Sequence, residues 1–66
     1  MNAKIGDKVK FKRSSTLGAG QQRQGQIGTV VAVYSDLPGQ AMPRVDIAFP
    51  NGGVEFGISV HQIEHA

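Results

Sequence analysis

Lys8, Lys10 and Lys12 alternate with Val9 and Phe11, and Arg13 follows directly. Period-two alternation marks a half-buried strand, which turns the valine and phenylalanine inward and sets the lysines on the outer face roughly 6–7 Å apart. Such a ladder either meets phosphate or carboxylate groups or guards a sheet edge against pairing with another chain. Arg13 and Arg23 flank a polar stretch, and Tyr34 is the aromatic left outside when Phe11, Phe49 and Phe56 take inward positions. Lys8, Lys10, Lys12, Arg13, Arg23 and Tyr34 are therefore the candidate contacts for a protein partner or for RNA or DNA, with Tyr34 as the stacking surface.

The remaining reactive side chains lack the spacing of a catalytic motif. A general acid or base needs a carboxylate or histidine in a cleft with a positioned partner. Asp46 and Glu55 are expected on neighbouring strands, both pointing away from the core. His61 and His65 are four apart, like two metal ligands on a helix, but their segment is too short to form a stable one. Ser14, Ser15 and Thr16 have no histidine near them in the sequence. Cysteine is absent, which removes thiolate chemistry, iron–sulfur clusters and the usual zinc knuckles. No catalytic residue, metal site or cofactor is expected, and the chain reads as a non-enzyme.

Sixty-six residues suffice for a single core, so residues 1–66 are expected to form one domain. A core this small rarely supplies more than about 3–5 kcal/mol, and without disulfides or a metal the economical source of further stability is association. A homo-oligomer follows as an expectation. Net charge is +2, yet residues 1–23 carry +5 and residues 24–66 carry −3, a split that suits an acidic partner or head-to-tail contacts. The longest apolar run, Val30 to Tyr34, is far short of the roughly 20 residues that span a bilayer. With no secretory signal pattern at the start, a cytoplasmic location is expected.

The elements that must position these residues are mostly strands. Ile5-Gly6-Asp7 reads as a turn, and Lys8 to Lys12 as the first strand. Arg13 to Gln24, rich in Ser, Gly and Gln, reads as a long exposed loop of the kind that binds partners. Gln26 to Tyr34 is the longest strand, and the three-residue recurrence of Ile27, Val30 and Val33 predicts a bulge or bend at Gly28. Ser35 to Gly39 makes a Pro-Gly turn and Gln40 to Pro43 a second loop. Val45, Ile47 and Phe49 share one face. After the Pro50-Asn51-Gly52-Gly53 hairpin, Val54, Phe56 and Ile58 are expected to repeat the pattern. Ser59 to Gln62 fits a capping box and predicts one helical or 3₁₀ turn before Ile63. Together these give an all-β class: a five-stranded barrel with a single turn of helix before the last strand.

This layout resembles the SH3-like barrels. Gly25-Gln26-Ile27-Gly28-Thr29-Val30-Val31-Ala32-Val33 looks like a KOW motif of ribosomal and transcription-elongation proteins, over about nine residues. Over nearly the whole chain the layout is similar to the electron-transport-accessory group, which includes the nitrile hydratase β subunit, the ferredoxin–thioredoxin reductase variable chain, a photosystem I peripheral subunit and the plasmid-borne type II dihydrofolate reductases. Gly6-Asp7-Lys8-Val9, Gly25-Gln26-Ile27 and Ile63-Glu64 match the pattern of those reductases. That family's active surface is a Val-Gln-Ile-Tyr strand, and this chain has Val54, Glu55, Phe56 and Gly57 there. The resemblance thus implies a homo-oligomeric scaffold docking a larger partner, without reductase activity, and an origin on a gene cassette.

Overall fold

The computed structural model describes residues 2–34 and 43–66; the turn and loop expected between Ser35 and Met42 lie outside the described residues. Five strands form one antiparallel sheet: β1 (Lys8–Phe11), β2 (Ile27–Tyr34), β3 (Arg44–Ala48), β4 (Val54–Ser59) and β5 (Ile63–His65). Their spatial order is β4-β3-β2-β1-β5. A short helix, α1 (Ala19–Gln22), lies between β1 and β2, and a 3₁₀ turn (Val60–Gln62) joins β4 to β5. Ser59 caps that turn by accepting a hydrogen bond from the His61 N–H at 3.2 Å, one residue before the Gln62 partner that a capping box would use. The β class and the helical turn follow the sequence. The closed ring of a barrel is not present, because β4 and β5 end the sheet without pairing to each other.

Inward side chains from every strand form one core of Val9, Phe11, Val30, Val45, Ile47, Phe49, Ile58, Val60 and Ile63. Phe11 and Phe49 stack within it at 6.3 Å between ring centroids. Gly28 belongs to this core. A Cβ there would overlap Ile47 Cγ2 and lie 2.9 Å from Phe49 Cε1, so glycine is required by close approach rather than by a bend. The expected bend instead lies three residues on. The β2–β3 register shifts between Val30 and Ala32, leaving Val31 as the extra residue, after which Val33 returns to the core side.

A second irregularity changes the reading of β4. Val45 pairs with Ile58 and Ile47 with Glu55, so Phe56 and Gly57 together oppose the single residue Asp46. This bulge flips the phase of the strand N-terminal to it. Glu55 takes the inward position expected of Phe56, and Phe56 faces out with 74% of its surface exposed. Gly57 sits at φ +65°, a left-handed conformation that favours glycine. The Pro50–Gly53 hairpin forms as expected, closed by the Phe49 N–H donating to the Gly53 carbonyl at 3.1 Å.

Candidate functional site

The basic residues are positioned by β1 and the segment after it. β1 lies between β2 and β5, so its lysines do not guard an open edge. Lys8 Nζ donates to Thr29 Oγ1 at 2.7 Å, and Lys10 Nζ lies 3.8 Å from Glu64 Oε2, both across adjacent strands. Lys12 falls just beyond β1, where its N–H donates to the Gln62 carbonyl. The ladder of three is thus two outward lysines, each facing a neighbour, and a third residue held at a corner.

Arg13 to Gln24 is more ordered than a floppy loop. It contains α1, and Gln24 Nε2 donates to the carbonyls of Lys12 and Ser15 at 2.8 and 2.9 Å, pinning the two ends together. Gly20 is buried beneath Ser15. Arg13 is exposed. Arg23 turns into the fold, with its guanidinium carbon 4.6 Å above the Phe49 ring, its Nε donating to Glu55 Oε2 at 3.0 Å and its Nη1 to Gln26 Oε1 at 3.2 Å. An arginine that stacks on a core aromatic and satisfies an inward carboxylate is part of the architecture. Sequence order hid the Arg23–Glu55 pair because its members are 32 residues apart.

Two hollows flank this region. One of about 340 Å³ is lined by Lys10, Phe11, Arg13, Gln24, Gly25 and Glu64, and so gathers two of the candidate basic residues. The other, of about 260 Å³, brings His61 and Gln62 against Ser14, Ser15, Thr16 and Leu17. That juxtaposition of hydroxyls and histidine was invisible in the sequence. Among the described residues no group of three or more His, Cys, Asp or Glu is arranged to hold a metal ion, and no helix is long and apolar enough to cross a membrane.

The outer face of the sheet, which also bears Lys8 and Lys10, carries a polar cluster that the sequence missed. Asp46 is buried rather than solvated, at 6% exposure. Its Oδ2 accepts from the Tyr34 hydroxyl at 2.5 Å and its Oδ1 from the Gly57 N–H at 2.9 Å. Arg44 Nη1 donates to the Gly57 carbonyl at 2.8 Å, so both backbone groups of the bulge glycine are held. The bond to Asp46, aided by burial and by the carboxylate's charge, raises the Tyr34 pKa above the ordinary tyrosine value. Tyr34 keeps an exposed ring, but its hydroxyl is committed to this cluster. The signal available beforehand was an aspartate and a glycine in neighbouring strands; their contact depends on a bulge that alternation alone does not predict.

Around the cluster, the β2 to β4 part of the outer face carries exposed hydrophobic residues, bordered by Lys8 and Lys10 of β1. Ile27, Val31 and Tyr34 of β2 and Val54 and Phe56 of β4 are five of the seven large hydrophobic residues exposed among the described residues; Ile5 and Leu17 lie elsewhere. Between them, Thr29 pairs with Ala48 and Ala48 with Val54, a row of small uncharged side chains. Scattered exposed hydrophobics are ordinary, whereas a gathering on one face marks an interaction surface.

No family model matches the chain, and no curated protein or solved structure matches it either. The resemblances noted in its sequence therefore stand as expectations, and function is argued from these surfaces.

Proposed function

We propose that this chain is a non-catalytic binding and assembly module that docks protein through the outer face of β2, β3 and β4. The observation that carries this reading is the outward placement of Phe56. Placing a phenylalanine in solvent forgoes roughly 1.5–3 kcal/mol of burial. Here the placement is reinforced on both sides of the ring: Glu55 is drawn inward by Arg23, and Gly57 is fixed by Asp46 and Arg44. The strand order and the 3₁₀ turn before β5 support reading the curled sheet as an SH3-like barrel. We propose no catalytic step, because the segment aligned with the reductases' active strand offers an inward glutamate, a phenylalanine and a glycine.

Capture with the immobilised chain from nuclease-treated lysate tests this reading, with Phe56→Asp as the control. A protein retained by the wild type and lost by the variant is expected. Recovery of nothing specific by the wild type would count against docking.

A second reading rests on the hollow where Lys10, Arg13 and Gln24 meet, which offers cationic and amide donors to a phosphate of RNA or DNA. Its binding would weaken steeply with added salt and be lost in Lys10→Glu. Affinity for nucleic acid that ignores both changes would exclude it.

A further inference from the structure

We infer that the free edge of β4, centred on Phe56, is a two-fold self-association surface whose occupant is a second copy of this chain. The inference rests on the docking reading above and names its partner.

Antiparallel alternation sets which backbone groups are free. The Phe49 N–H bonds to the Gly53 carbonyl and Ile47 faces Glu55, so Glu55 directs its backbone toward β3 while Val54 and Phe56 direct theirs away. Among the described residues no strand lies beyond them in the sheet. A strand edge of this kind is complementary to itself when turned through 180°, because antiparallel pairing exchanges identical donors and acceptors across a two-fold axis.

Such an axis also sets each side chain near its own copy, so a central charge would repel its twin. β4 satisfies this condition. Its outward side chains are Val54 and Phe56, and its one charged residue, Glu55, is turned inward and paired with Arg23. Outward lysines and an edge proline are absent from Val54–Ser59, and the bulge and the inward Glu55, which also discourage edge pairing, leave Val54 and Phe56 facing out. The Gly57 bulge confines regular pairing to the first half of the strand, leaving the two Phe56 rings and their Val54 neighbours as the main contact.

The contact is small. The first half of the strand and two apolar side chains cover less than the standard interface of about 800 Å² per partner. The structure therefore points to a dimer that exchanges with monomer at micromolar concentrations.

The test is sedimentation velocity on the purified full chain from about 1 to 500 µM, with hydrogen exchange followed over the same range. A concentration-dependent dimer is expected, with the Val54 and Phe56 amides gaining protection as it forms. Phe56→Asp and Val54→Lys should each weaken it at least tenfold with the far-ultraviolet spectrum unchanged, while Leu17→Asp, on the remote loop, leaves it intact. A wild type that stays monomeric at the highest concentration overturns the inference, as does a dimer indifferent to both β4 variants. Should the variants fail to fold, exchange decides: unprotected β4 edge amides in a wild-type dimer place the interface elsewhere and also overturn it. Loss of self-association with Phe56-dependent capture retained would sink the second copy as partner and spare the docking reading. A Phe56-dependent dimer that captures no other protein would support self-association alone.

Discussion

The two strands that end the sheet are built on opposite principles. β5 is three residues long, its exposed groups are charged or polar, and exposed polar contacts tie it down: Glu64 to Lys10 at 3.8 Å and His65 Nε2 to Asp7 Oδ2 at 3.3 Å. β4 is twice that length and held by partly buried contacts on both of its faces, Arg23–Glu55 on the inner and Asp46–Gly57 on the outer, with Val54 and Phe56 exposed. Exposed pairs are worth about 0–1 kcal/mol, whereas a buried carboxylate stripped of its donors costs far more. One edge is therefore closed cheaply by charge, and the other is held rigid while its outer surface is kept apolar. This difference separates an edge that ends a fold from an edge prepared for contact.

Removing the Asp46 pin of β4 should have the largest effect. Asp46→Ala leaves the Tyr34 hydroxyl and Gly57 N–H without their acceptor and is expected to cost about 3 kcal/mol in urea unfolding. The chain has one tyrosine, so absorbance titration reports Tyr34 directly. In Asp46→Asn the tyrosine pKa should fall back toward its ordinary value. An unchanged titration would mean that the hydroxyl does not bond Asp46 in solution.

Arg23→Ala should come next, at about 1–2 kcal/mol, since it uncovers Phe49 and leaves Glu55 inward without its cation. Urea unfolding measures it, and a neutral result would show that Glu55 finds water or another donor. Gly57→Ala should cost about 1 kcal/mol. A Cβ there meets nothing within 4 Å, so the loss isolates the backbone strain at φ +65°.

At the β5 edge the effects should be small. Glu64→Gln is expected to change stability by no more than about 0.5 kcal/mol. A loss comparable to that of Arg23→Ala would erase the contrast between the edges. The Lys4 N–H donating to Asp7, opposed by some desolvation and assisted by His65, lowers the Asp7 pKa below the usual carboxylate range. Its stabilising contribution is complete above the unfolded-state pKa and disappears as pH falls through the lower folded-state value. Stability should therefore decline below about pH 4 with a shallower slope in Asp7→Asn. Identical acid limbs for the two proteins would show that Asp7 contributes nothing.

Alternation, turn residues and the capping serine sufficed to read the strand order along the chain, the hairpin and the 3₁₀ turn, because each is a local preference written in consecutive residues. Gly28 was legible as special but for the wrong reason: its role is to admit Ile47 and Phe49, which are distant in sequence. The candidate site was less legible. Arg13, Lys8 and Lys10 are exposed, Arg23, also read as a contact, stacks on Phe49 and pairs with Glu55, and Phe56, read as core, is on the surface.

The sequence by itself determined that this is a small β protein, where the Pro50–Gly53 hairpin and the 3₁₀ turn fall, and which residues are apolar enough to form a core. Tertiary structure alone decided which face each β4 residue occupies. A single extra residue at a bulge reverses the side of every neighbour up to the next turn, and the energy that fixes the bulge comes from Asp46, Arg44 and Arg23, partners that only folding brings to β4.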